Sequence, residues 1–580
     1  MKPLFRFFLA IPLFLFLAAT PARSATAPDT FVLASYGTLR TLDPAAAYDT
    51  VGTMRLLNLY EPLIFFDGGA TDQFIPLLAT QVPTLENGGI SEDGTRYTFP
   101  IREGVRFHQG GTLTAEDVAY SFKRNMIADP DGGPMWMLLE ALTGRGSTRD
   151  GDGNLVPGIF EKIDEAVTAS GNTVTFHLPR PYPPLLGILA YSASVILDKE
   201  WAIENGCWDG DIANAAEYNN PAPGAEPLQR IANGTGAYRL QLWEPSRQFV
   251  FQRFDGYWDD APPIKTAIVR YVKEWSTRKL MLQNGDADRV VVDTPYVPEV
   301  RQMDNVVLQK SPQLALTCAC FCRRIRTQGN PNIGSGKLNG DGIPPDFFAD
   351  ADVRKGFLHA FDRETYKRDV FDGDVILPTS PNIQGLPHHR EVPVHEFDLE
   401  KAKVHFQKAW DGAVWEKGFS MVVTHNTGNA MREAAAHMLA DAIMSLNPKF
   451  RIEVRNVDWK DYLVQYRNRM YPLFLIGWGA DYADPHNFLY TFMHSRGVYG
   501  RYMGYRNPEA DRLLETGIAA TDPEVREEIY FRLQDIWHED AVALPLYQLV
   551  DIRAYRAGVT GAPPNPMFSQ EWEYLKKVRK

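Results

Sequence analysis

The sharpest hydrophobic pattern in the chain runs from Tyr471 to Trp478, where almost every position is apolar. An apolar run without alternation predicts a strand buried on both faces of an α/β sheet. The run breaks at Gly477, Gly479 and Pro485, interleaved with Trp478, Asp481, Tyr482 and Asp484. Open α/β sheets bind ligands just beyond the carboxyl ends of their strands, so this break is where a ligand belongs. An aromatic pair beside a poorly hydrated carboxylate suits a cationic, partly apolar group such as a peptide α-amine. The competing reading has Asp481 cap the loop and Trp478 fill the core.

Elsewhere strand and helix patterns alternate, with no repeat of fixed period. Arg96 to Arg102 alternates as a strand does, and Gly110-Gly111 turns the chain into a helix beginning at Thr114. Thr114 is placed to act as N-cap with Asp117 three residues on. Val118 and Phe122, with Tyr120 or Ser121, mark that helix's buried side. A second helix is expected over Val353 to Phe361, started by Asp350 or Asp352. A third follows Asp398, with Ala402, His405, Phe406, Ala409 and Trp410 at helical spacing. A fourth follows Asn429, with Ala430, Ala434, His437, Met438, Asp441 and Ala442 on one stripe. It leads into a strand at Arg451 to Arg455. Residues 204–235 and 327–346 lack periodicity and read as linkers. Asp150, Asp152, Asn154 and Glu161 have calcium-loop spacing, but Leu155 stands where that loop needs glycine. A turn is the better reading.

Composition narrows the class. A basic start (Lys2, Arg6), an apolar stretch from Phe7 to Ala19 and small residues to Ala27 read as a secretory signal peptide over residues 1–24. Ala22-x-Ser24 is the preferred cleavage signal, and no cysteine follows to take a lipid. No later stretch approaches the length of a membrane span. Loss of Lys2, Arg6 and Arg23 takes the net charge from −12 to −15. That balance argues against nucleic acid or an anionic membrane as partner. Three of the four cysteines lie at 318, 320 and 322, a spacing that puts them on one face of a strand. Neighbours of that kind are poorly placed to bridge one another, and small buried side chains are the expected role. No Gly-x-Ser-x-Gly, His-Glu-x-x-His or P-loop is present. No cofactor is called for, and a binding protein is expected rather than an enzyme.

An ordered set of segments then resembles the family 5 extracellular solute-binding proteins, the peptide- and nickel-binding components of ABC importers. They are Thr41-Leu42-Asp43-Pro44, Leu59-Tyr60-Glu61-Pro62-Leu63, Asp93 to Phe107, Gly111 to Arg124, Asn233-Gly-Thr-Gly-Ala-Tyr238 and Tyr257-Trp258. Asn284 to Asp288, Asp352 to Arg363, Asp398 to Trp410, Asp458 to Tyr462 and Trp478 to Pro485 complete the set. The resemblance implies an α/β, two-lobed periplasmic-binding-protein fold of the large three-domain type, closing on a hinged cleft. Residues 25–59, 226–296 and 518–580 would form the core of lobe 1, residues 60–225 its inserted domain, and 297–517 lobe 2.

In peptide-binding members the acid of the Trp-x-x-Asp segment meets the ligand α-amine, and Asp481 stands there. Trp478 and Tyr482 would line an aromatic wall. Asn426, in Thr424 to Asn429, resembles a cleft-lining loop, and Tyr36 falls in a cleft-facing stretch. The arginine that well-known oligopeptide binders place before Gly-Trp is replaced by Leu475 and Ile476, so either another cation such as Arg467 or Arg469 meets a ligand carboxylate or the ligand lacks one. The expected protein is a monomeric periplasmic binding protein that carries a small peptide or peptide-like ligand to the permease subunits of an ABC importer. The alternatives are an opine, an oligosaccharide or a nickel chelate as cargo, the last kept open by His425 and His486. A periplasmic chaperone or a hydrolase on the same scaffold ranks lower.

Overall fold

The computed structural model describes residues 27–580 apart from Gly151, Ala562 and Gln570. The signal peptide expected over residues 1–24 lies outside the described residues. Among them no helix is long and apolar enough to cross a membrane.

One eleven-stranded mixed sheet runs through both lobes. In the second lobe Phe450–Val457, Phe419–Asn426 and Leu473–Gly479 lie side by side. In the first lobe Arg289–Val291, Thr30–Ser35, Thr266–Tyr271, Gln248–Arg253 and Tyr238–Glu244 continue the sheet. Two long antiparallel strands, Val306–Phe321 and Ala543–Arg556, join the halves. The first pairs Cys318 with Ile476 in the second lobe, and the other pairs Ala554 with Val290 in the first. Their mutual register slips between Pro312 and Leu316 and again between Thr317 and Cys318. Such bulges bend and twist a strand pair, so the ribbon between the lobes is kinked midway.

The strand expected from the apolar run forms over Leu473–Gly479, between Phe419–Asn426 and Val306–Phe321. Leu473 and Leu475 pack into one core cluster and Phe474 and Ile476 into another, so both faces are buried. The helix caps also form. Thr114 and Asp117 make a reciprocal capping box on Ala115–Ala128. Asp350, Asp398 and Asn429 cap Ala351–His359, Leu399–Lys408 and Ala430–Leu446. Asp150 accepts from the Asp152 and Asn154 amides, both at 2.9 Å, and forms a turn.

Three details of the sequence reading are corrected. Helix Ala430–Leu446 buries Ala435, Ala436, Leu439, Ala440 and Ile443, one step round from the expected stripe, and leaves His437 exposed. Alanine and methionine flank both stripes, so composition barely distinguishes the faces and the sheet chooses. Trp410 lies past the end of its helix with a left-handed backbone (φ 54°). Cys318 and Cys320 share one core cluster, whereas Cys322, just beyond the strand end, packs in the opposite one. All four cysteines are buried thiols without a disulfide.

The segments that carried the resemblance converge on two buried carboxylates. Glu61 accepts from the Tyr257 hydroxyl (2.6 Å), Trp258 Nε1 (2.8 Å) and Thr235 Oγ1 (3.0 Å), and burial pushes its carboxyl up. In the same neighbourhood a Cβ on Gly236 would stand 2.6 Å from the Asn58 carbonyl oxygen, so only glycine lets these backbones meet. Asp43 takes a two-pronged ion pair from Arg124 at 2.5 and 2.6 Å.

Acid sensitivity follows from two buried histidines. Burial holds His108 down to about 4, with its Nε2 on the Gly236 carbonyl at 2.8 Å. Burial, and then His538, does the same for His395, whose ring stacks on His538 at 4.5 Å and meets His359 at 5.2 Å. An unfolded histidine titrates near its ordinary value of about 6.5, so below that the unfolded chain takes up the proton first. Their contribution is therefore intact above about pH 6.5 and is lost as the pH falls towards 4. The wild type should lose more urea-unfolding free energy between pH 7 and pH 5 than His395→Asn does. Equal losses would exclude His395 as a source of the acid sensitivity.

Candidate functional site

Strand Leu473–Gly479 delivers Trp478 to its carboxyl end, and the loop beyond presents Asp481 and Tyr482 before helix Pro485–Met493 begins. The capping carboxylate of that helix is Asp484. It accepts from the His486 amide at 2.8 Å and pairs with Arg526 at 2.7 Å. Asp481 is thereby relieved of the capping role.

Asp481 receives hydrogen bonds from neutral donors. The Tyr48 hydroxyl donates to Oδ1 from the first lobe, and Asn487 Nδ2 donates to Oδ2 at 3.2 Å. Asn487 is fixed in turn, its Oδ1 accepting from Trp478 Nε1 (2.8 Å) and from the Asp481 amide (3.3 Å). Trp136 Nε1 donates to the Tyr48 oxygen at 3.2 Å. Burial raises the Asp481 carboxyl above the ordinary range, against the lowering effect of Tyr48 and Asn487. The residue itself stays half-buried. Among the described residues no cation pairs with it. A desolvated carboxylate without a counter-charge is costly, and a ligand ammonium group supplies what is missing.

Trp478, Tyr482 and Asn487, which flank Asp481, open onto a cavity of about 570 Å³ between the lobes. Trp136 and Tyr182 line it from the first lobe, and Trp478, Tyr482, His486 and Asn487 from the second. The Tyr482 ring lies 6.2 Å from that of Trp136, and Tyr482 also borders a second cavity of about 400 Å³ with Tyr97 and Pro183. Charged residues in the larger cavity pair among themselves, Arg180 with Glu140 at 3.0 Å and Arg496 with Glu515 at 2.5 Å. Burial and then Arg526 hold His486 well below its ordinary value, so it is neutral.

Asn426 ends strand Phe419–Asn426 on the same edge of the sheet. Its Oδ1 accepts from Arg432 Nη1 at 2.8 Å. Arg432 is 9% exposed, has no carboxylate partner, and keeps its Nε without an acceptor. A Cβ on Gly477 would stand 3.0 Å from its Nη2. Tyr36 lies elsewhere, 4.8 Å from Arg278 and hydrogen-bonded to Asp293, and no contact joins it to Asp481. Arg467 and Arg469 precede the strand that Asp481 follows. They sit at the opposite pole of the lobe and cannot meet a ligand held by Asp481, which corrects the sequence expectation. Tyr48, Trp136 and Asn487, gathered around Asp481, and Arg432, beside Asn426 and Gly477, are the neighbours the sequence reading missed.

The model of the bacterial extracellular solute-binding proteins, family 5, matches residues 73–500. The chain belongs to this family. Its members are substrate-binding proteins. The dipeptide-binding protein of Escherichia coli (strain K12) is 26% identical over 533 residues, covering 89% of this chain and 88% of the relative. Among solved structures, the periplasmic binding protein DppA from Helicobacter pylori in complex with peptide STSA superposes with a TM-score of 0.67 at 22% identity, covering 95% and 98% of the two chains. HbpA2 from Haemophilus parasuis gives 0.72 at 20% identity, covering 95% and 99%. These likenesses place the family 5 chain in the two-lobed binding-protein fold.

Proposed function

We propose that this family 5 protein captures peptides or peptide-like solutes in the periplasm and hands them to the permease of an ABC importer. The observation that carries the reading is Asp481, a desolvated, uncompensated carboxylate hydrogen-bonded to Asn487, which together with Trp478 and Tyr482 lines an aromatic-walled cavity. The ligand α-amine takes the place beside Asp481, its first side chain rests against Trp478 and Tyr482, and its main chain runs along the strand ends as an added strand does. Bending of the kinked two-strand ribbon closes the lobes over it. The relatives named for dipeptides and for a bound peptide support the same cargo class.

Arg432 supplies a counter-charge for the ligand carboxylate. It packs against Gly477, four residues before Asp481, and four extended residues reach at most about 14 Å. That span favours short peptides. Amidating the C-terminus of a bound dipeptide or tripeptide should weaken binding about tenfold, the effect of losing one charge-assisted contact. In Arg432→Met the free acid and the amide should bind alike. A preference for the acid that persists in Arg432→Met would remove this residue from the site.

Native mass spectrometry of the freshly purified protein tests the function directly. Bound masses that fragment as peptides support the proposal and give their length. A non-peptide adduct, or an empty protein that takes up nothing from a mixture of short peptides, overturns it.

A further inference from the structure

The second lobe carries a basic concavity that the cleft does not use. It encloses about 600 Å³ and is lined by Arg323, Arg324, Arg326, Arg467 and Arg469, with Asp346 as its single carboxylate. Strand pairing fixes where it lies. Phe321 stands opposite Leu473, and Ala315 opposite Gly479. The segments beyond Phe321 and before Leu473 therefore meet at the edge remote from Asp481, about 20 Å along the strand.

The two arginine-bearing segments are locked together. The Arg326 amide donates to the Arg469 carbonyl at 2.9 Å. Asn330 Nδ2 bridges the Arg326 carbonyl (2.7 Å) and the Met470 carbonyl (2.8 Å). Arg469 holds a left-handed backbone, φ 56°, and its Nη2 donates to the Arg501 carbonyl at 2.9 Å. This is a shaped surface rather than a scatter of side chains.

Its charge is unbalanced. Among the described residues none of the five arginines has an ion-pair partner. Arg323 is 9% exposed; its Nη2 donates to the Val542 carbonyl at 3.1 Å, while its Nη1 is buried with no partner. Its neighbour Arg354 is bonded to main-chain carbonyls. Burial, and then Arg354, push the Arg323 guanidinium down to about 9, so it is still a cation at neutral pH. A buried cation without a counter-ion is expensive. In a chain of net charge −12, five unpaired guanidinium groups in one hollow stand apart from the rest of the surface. Guanidinium planes match tetrahedral oxyanions with paired hydrogen bonds.

We propose that this concavity is an oxyanion site that takes a phosphoryl group, supplied either by free inorganic phosphate or pyrophosphate or by a phospholipid headgroup. The site is independent of the cargo cleft. Arg326 and Arg467 are exposed, so replacing both with alanine should leave the fold intact, which a thermal melt checks.

The test titrates the intact protein with phosphate and with pyrophosphate at neutral pH, holding ionic strength constant with sodium chloride. The wild type should bind saturably and melt higher. The Arg326→Ala/Arg467→Ala variant should bind about tenfold more weakly, with peptide affinity unchanged. Sedimentation with phosphatidylcholine vesicles, with and without phosphatidylglycerol, separates the sources. Binding to the anionic vesicles alone, lost in the variant and competed by phosphate, assigns the headgroup. Saturable phosphate binding without sedimentation assigns the free anion. If the wild type prefers none of these probes to chloride, or the variant binds them equally well, the proposal is wrong.

Discussion

Asp481→Asn is expected to weaken binding of a peptide with a free α-amine by about 2–5 kcal/mol, the usual loss when one partner of a buried charge pair is removed. The substitution keeps the size of the side chain and an oxygen for the Tyr48 hydroxyl, which donates to Oδ1 in the native cleft. It removes the charge and, with it, the long acceptor contact to Asn487 Nδ2 at 3.2 Å. Because that charge is desolvated and faces neutral donors, the unliganded variant should be as stable as the wild type or more so. Loss of affinity without loss of stability is the distinguishing signature. N-acetylated peptide should bind the wild type about as weakly as free peptide binds the variant. Acid supplies a second signature. The Asp481 carboxyl is raised, so the wild type should lose affinity on acidification at a higher pH than an ordinary carboxylate would cause, while the asparagine variant shows no such loss. Calorimetry at several pH values measures all three, and unchanged affinity in Asp481→Asn would end the amine-anchor reading.

Arg124→Met should destabilise the fold by about 3–5 kcal/mol. Arg124 and Asp43 are both nearly inaccessible, at 4% and 2% side-chain exposure. The pair joins the loop after the first strand to helix Ala115–Ala128. Losing the arginine strands a buried carboxylate that retains the Ala45 amide at 3.0 Å as a neutral donor. Urea unfolding measures the loss. The double variant Asp43→Asn/Arg124→Met should recover part of it, and the double-mutant cycle then gives the coupling. A loss below about 1 kcal/mol would mean the pair behaves as an exposed one does.

What was legible in the sequence was local. An apolar run with an abrupt end located the strand and the loop bearing Asp481, and Asp or Asn ahead of a helical pattern located the caps. Tyr48 was illegible for a plain reason: it meets Asp481 from 433 positions away, and nothing in its own surroundings marks it. Arg467 and Arg469 misled because nearness in sequence to Gly477-Trp478 hides the direction of travel. The intervening strand carries the chain across the lobe, and Arg432, farther off along the chain, comes back beside Gly477. The buried face of helix Ala430–Leu446 could not be phased from small residues alone. Neither could the strand end that turns Cys322 away from Cys318 and Cys320.

The same long-range architecture dictates the order of events when the chain is made. Phe31 and Leu33 share a core with Phe568, Trp572, Leu575 and Val578, and the Ser35 hydroxyl donates to the Glu571 carboxylate at 2.8 Å, 536 positions on. The first strand therefore has no complete environment until the segment from Phe568 to Val578 is in place. Contacts of such sequence separation fold slowly. A chain clipped before Phe568 should therefore leave Phe31 and Leu33 uncovered and open to proteases.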